Sequence, residues 1–106
     1  MKKVQIVLFL IATLKVAAQT ATFSRVDSLL ERGRYQIALT ELKEVKPQSY
    51  LSAYKIGKIY SSIDDHSKAI SYYEKSLQLR ENYSARLLLG KSYQAIKQYN
   101  KAIPIY

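Results

Sequence analysis

The spacing Ala53-x-x-Ile56-Gly57-x-x-Tyr60 returns 33 residues later as Arg86-x-x-Leu89-Gly90-x-x-Tyr93. Ala69-Ile70-x-x-Tyr73 returns at the same offset as Ala102-Ile103-x-x-Tyr106. A fainter copy precedes both, in Val26, Leu29, Gly33, Tyr35, Ala38 and Leu42, with Ala38 standing 31 residues before Ala69. A period in the low thirties is the mark of a helical unit that cannot bury its apolar face alone and stacks on copies of itself. The 106 residues include 3 Gly and 2 Pro, too few turn formers for an all-β chain.

Helical periodicity agrees with that reading. From Ala21 onward apolar residues cluster in short blocks: Val26 to Leu30, Tyr35 to Val45, Leu51 to Ile63, Ala69 to Leu79, and Leu87 to Ile96. The breaks are Gly33-Arg34, Pro47-Gln48, Asp64-Asp65-His66, Arg80-Glu81-Asn82 and Lys97-Gln98, which carry helix-stop and helix-start residues. Ser49 and Asn82 are placed to cap new helices, because their side chains can accept free backbone N–H groups. The expectation is helix–turn–helix, repeated.

The spacing resembles that of the tetratricopeptide repeat (TPR), in which a large residue precedes Leu-Gly-x-x-Tyr, then Ala-x-x-x-Phe, then a closing Pro. Gly57, Tyr60, Ala69 and Tyr73 fill one copy, and Gly90, Tyr93, Ala102 and Tyr106 fill the next. These are expected to define the packing, the glycine admitting the second helix's alanine and the tyrosines filling wider gaps. The departures are Ala53 and Arg86 at the large position and Glu81 near the missing proline. The resemblance implies an all-α, TPR-type helix–turn–helix solenoid of about two and a half repeats, near 21–48, 49–82 and 83–106, the last incomplete. It reads as an N-terminal fragment of a longer array. The alternative expectation is that a partner covers the apolar end at Ala102, Ile103, Ile105 and Tyr106, a second copy of the chain among the candidates.

The first residues read as an address. Met1-Lys2-Lys3 is basic, Val4 to Leu14 is an apolar run of 11 residues, and Val16-Ala17-Ala18 offers small residues for cleavage before Gln19. That is the layout of a secretory signal peptide over 1–18, with an uncleaved anchor as the alternative. The run falls short of the roughly 20 residues that span a bilayer. It predicts export to a bacterial periplasm or cell surface, with residues 19–106 as the repeat domain and no membrane span beyond the signal.

The formal charge is +9. The lysines are scattered and never form a run of five, which argues against a nucleic-acid patch. With no cysteine there is no disulfide and no thiolate metal site. The one histidine, His66, stands beside Asp64 and Asp65, but it aligns with Tyr35 and Tyr99 and reads as a ring packed at a turn. Neither a phosphate loop nor a nucleophile motif is present, so no catalytic residue, cofactor or metal is expected. Glu74 and Lys75 read as solvated surface.

The resemblance implies a concave groove lined by the first helix of each repeat, holding partner peptides or helices. Its positions are Phe23, Asp27 and Leu30, then Leu51, Tyr54, Lys58 and Ser61, then Leu87, Lys91 and Gln94. Lys58 and Lys91 are equivalent and would attract an acidic or C-terminal segment. The expected function is a non-enzymatic scaffold for protein partners outside the cytoplasm. The alternative is the truncated sensory N-terminal region of a membrane-bound signalling receptor or transcriptional regulator.

Overall fold

A computed structural model of the chain describes residues 2–97 and Ile105, and within 2–18 the backbone with the side chains of Val7 and Leu10. Five α-helices follow one another among the described residues: α1 (Lys2–Glu31), α2 (Tyr35–Glu44), α3 (Tyr50–Ser62), α4 (His66–Leu79) and α5 (Tyr83–Ala95). No strand occurs among those residues. The fold is an all-α helical repeat. Helix α1 runs unbroken from the apolar start through Leu29 and Leu30. No described helix is long and apolar enough to cross a membrane.

The chain divides into two compact units, Met1–Glu41 and Leu42–Tyr106. In the first, Val26, Ala38 and Leu39 are buried. Arg25 Nε donates to Glu41 Oε2 at 2.7 Å, tying α1 to α2. In the second, α3 packs on α4 and α4 on α5. Its core takes Ala53, Ile56, Ile59 and Tyr60 from α3, Ala69 and Tyr73 from α4, and Ala85 and Leu89 from α5. The buried Ser76 hydroxyl donates to Tyr50 O at 2.7 Å and accepts from Asn82 Nδ2 at 3.2 Å. One satisfied hydroxyl thus joins the start of α3 to α4 and to the entry of α5.

The helix starts follow from their caps. Ser49 forms a reciprocal capping box with Ser52 at the head of α3. Asn82 accepts from Ala85 N–H at 2.8 Å at the head of α5. Asp65 caps α4 by accepting from Lys68 N–H at 3.2 Å. The turns repeat as well. Gly33, Asp64 and Lys97 all have positive φ, at 72°, 62° and 63°. Beyond two of them Arg34 N–H reaches Leu29 O at 2.9 Å and Asp65 N–H reaches Tyr60 O at 2.8 Å. This left-handed stop closes the preceding helix and turns the chain into the next one. Glycine fills it only once.

One packing expectation is corrected. A Cβ built on Gly57 would lie 2.6 Å from Tyr73 Cε1 and 2.7 Å from Cδ1. The missing side chain of Gly57 therefore makes room for the Tyr73 ring, with the closest atoms belonging to Tyr73 and not to Ala69. Tyr73 is 1% exposed. A planar ring needs a flat helix surface to reach such depth, and glycine supplies it.

Candidate partner-binding groove

Of the expected groove residues, Phe23, Asp27 and Leu30 stand on α1, with Phe23 and Leu30 half-buried and Asp27 exposed, and the others lie on α3 and α5. Leu51, Tyr54, Ser61 and Leu87 are half-buried, while Lys58, Lys91 and Gln94 are exposed. Three of them, Lys58, Ser61 and Lys91, line one cavity of about 290 Å³. Leu51, Tyr54, Leu87 and Gln94 are outside its lining. Tyr54 still bears on it, since its ring centroid is 6.2 Å from that of Tyr73 and 5.5 Å from the Lys58 ammonium. Of the residues expected to define the packing, Gly57, Tyr60, Ala69, Tyr73 and Gly90 are buried and Tyr93 is half-buried. Ala102 lies outside the described residues.

Five further lining residues escaped the sequence reading: Ser62, His66, Tyr73, Leu88 and Ser92. Ser61 and Tyr73 share a hydrogen bond between their hydroxyls at 3.1 Å. Burial raises the Tyr73 phenol above its ordinary range, and the Ser61 bond opposes that shift. Leu88 adds an aliphatic wall. His66, read from sequence as a packed ring at a turn, starts α4 and lines the same cavity. Its Nδ1 is buried without a hydrogen-bond partner, and its Nε2 lies 3.8 Å from Asp64 Oδ1. None of the described lining residues is a carboxylate, and Lys58 and Lys91 bring two ammonium-bearing side chains to a mostly apolar space.

A second set of contacts joins successive helix pairs. Tyr60 and Tyr93, which are equivalent in the repeat, each meet the helix before. Lys43 Nζ donates to the Tyr60 hydroxyl at 2.8 Å, and the Tyr93 hydroxyl donates to Glu74 Oε1 at 2.6 Å. The bond to Tyr60 raises the Lys43 ammonium above its usual range. Beside the Glu74 carboxylate the Tyr93 phenol is pushed up to about 12. Glu74 is therefore a partner of the next helix and not merely solvated surface. Tyr60 also stacks on Tyr72, with centroids 5.6 Å apart, and the ammonium groups of Lys43 and Lys68 each lie 5.4 Å from its ring centre.

Residues 51–83 match the tetratricopeptide repeat. The matched TPR unit runs from the second residue of α3, through α4, to the first residue of α5. It contains Gly57, Tyr60, Ala69 and Tyr73, the left-handed Asp64 and the capping Asp65 of its turn, and His66. The TPR is a scaffold-type repeat that generally mediates protein–protein contacts, using the surface formed by stacked units. A search of curated proteins finds no match to the chain. Among the described residues no group of His, Asp and Glu is arranged to hold a metal ion.

Proposed function

We propose that this protein is a non-enzymatic, exported scaffold that holds an acidic segment of a protein partner along the face carrying Lys58 and Lys91. The observation that carries the reading is the meeting of those two lysines at one cavity. They stand 33 residues apart on α3 and α5, yet both line the same apolar space with no carboxylate among its described walls. Two cations over an apolar recess suit a partner that brings negative charge and a hydrocarbon body. Tyr54 beside Lys58 adds an aromatic surface of the kind that anchors interfaces.

Export rests on the basic start, the 11-residue apolar run and the Val16-Ala17-Ala18 site. Both parts can be tested in one experiment. A photo-crosslinking residue is placed at position 58, 91 or 75 of the full, tagged chain, and the cells are fractionated after irradiation. The expected result is a shared crosslinked partner from positions 58 and 91, none from 75, and protein recovered outside the cytoplasm. Crosslinks from position 75 alone would contradict the groove, and retention in the cytoplasm would contradict export.

A further inference from the structure

The end of the leader can be placed to the residue. A cut after Ala18 puts Val16 and Ala18 at the two positions that take small side chains. A cut after Ala17 would put Lys15 at the outer position, and a cut after Ala21 would put Gln19 there. Cleavage therefore makes Gln19 the first residue. The cut falls inside α1, whose backbone is helical from Lys2 to Glu31. What anchors that helix lies beyond the cut: Val26 is buried, and Arg25 bonds Glu41. Gln19 is half-buried and is followed by the exposed Thr20 and Ala21. The new chain end thus stands ahead of the packed part of α1, beside residues open to solvent.

We infer that Gln19 of the exported chain closes on itself to pyroglutamate, so that the first residue of the mature repeat domain is a modification site. The Gln19 α-amine attacks Cδ of its own side-chain amide. A bond forms between the α-nitrogen and Cδ, and the Cδ–Nε2 bond breaks. Nε2 leaves as ammonia, taking the proton that the α-nitrogen gives up. Nothing is oxidised or reduced and no co-reactant is consumed; a cyclase would only hasten the step. The glutamine side chain has the length that closes a ring free of strain, and one methylene less would not. The consequence for the fold is electrostatic. A free α-ammonium at Gln19 would put a cation at the positive end of what remains of α1, where the first N–H groups have lost their upstream partners. The lactam is neutral and removes that charge, as N-terminal acetylation does. It also leaves no primary amine for an aminopeptidase at a chain end, where proteolysis concentrates.

This rests on the export reading but fails separately from it. The full chain, tagged at its C-terminal end, is expressed, recovered from outside the cytoplasm and incubated at neutral pH, and its first peptide is read by mass spectrometry. A synthetic peptide beginning at Gln19 is added after the incubation, to count closure caused by handling. The expected result is a first peptide that starts at Gln19 and is lighter than the linear form by one ammonia. It should be blocked to stepwise N-terminal sequencing, and pyroglutamyl aminopeptidase should unblock it to expose Thr20. Gln19→Asn keeps the amide but is one methylene short, so it should be cleaved at the same bond and keep its free amine. A free amine on Gln19 after prolonged incubation, or closure no greater than in the added peptide, would overturn the modification and leave cleavage after Ala18 standing. A start at any residue other than Gln19 would overturn the placement. A first peptide at Met1 in protein recovered outside the cytoplasm would overturn cleavage, and this inference with it, while keeping export.

Discussion

Tyr60 and Tyr93 occupy the same place in successive repeats and are held by opposite chemistry. The hydroxyl of Tyr60 accepts from Lys43, while that of Tyr93 donates to Glu74. A phenol can do either, so the ring position is set by packing while its polar partner is free to change sign. The two sites also differ in depth. Tyr60 is 7% exposed and stacks on Tyr72, whereas Tyr93 is only half-buried. The comparison teaches that the repeat specifies shape first and charge second. What recurs is a ring between helices, and the surface charge around it varies from unit to unit.

The largest expected effect separates the two by depth. Tyr60→Ala should cost about 3–4 kcal/mol and Tyr93→Ala about half of that, measured by urea unfolding of the full chain. Equal losses would mean that the second ring is packed as deeply as the first. The closing of a single unit comes next. Gly57→Ala overpacks the Tyr73 ring, and after the helix propensity that alanine gains, a net loss of about 1–2 kcal/mol is expected. Combined with Tyr73→Leu, the same change should cost little, because the atoms it strikes are gone. A persistent penalty would place the clash elsewhere.

The smallest effect concerns the sign of charge. Glu74→Gln should bring the Tyr93 phenol down from about 12 toward the ordinary tyrosine range, as read by ultraviolet titration. The folded phenol is raised above its unfolded value, so its contribution is fully present below about pH 10. It is lost as pH climbs through about 12. Tyr73, raised by burial, acts in the same direction. Glu74→Gln should therefore flatten, without abolishing, the alkaline fall in stability. Glu74→Lys should re-create the Tyr60 arrangement at Tyr93 and leave the helix packing intact.

Much of the fold was legible in the residues because helix and period both depend on local spacing. The breaks at Gly33, Pro47, Asp64, Arg80 and Lys97 fall at or just beyond the ends of described helices, and Ser49 and Asn82 cap α3 and α5. The left-handed stops at Asp64 and Lys97 were not legible, since neither is glycine and only the tertiary turn forces that backbone. The partner of Gly57 was also missed. Periodicity reports which face a residue shares but not how far a ring from the next helix reaches across it. The same limit explains the site. Lys58 and Lys91 could be aligned from the repeat, while Leu88, Ser92 and His66 enter the cavity through packing depth and the position of a turn. His66 aligned with tyrosines and so read as one more packed ring; only its unpartnered Nδ1 distinguishes it.

The most direct measurement compares two double charge reversals for affinity to the partner captured from positions 58 and 91. Lys58→Glu with Lys91→Glu should weaken binding by at least about tenfold, the scale of losing one or two interfacial charge contacts. Lys68→Glu with Lys75→Glu, outside the cavity, should change it by less than about twofold, as expected of charges remote from the contact. Equal losses from the two pairs, or a loss confined to the second, would contradict a partner held between α3 and α5.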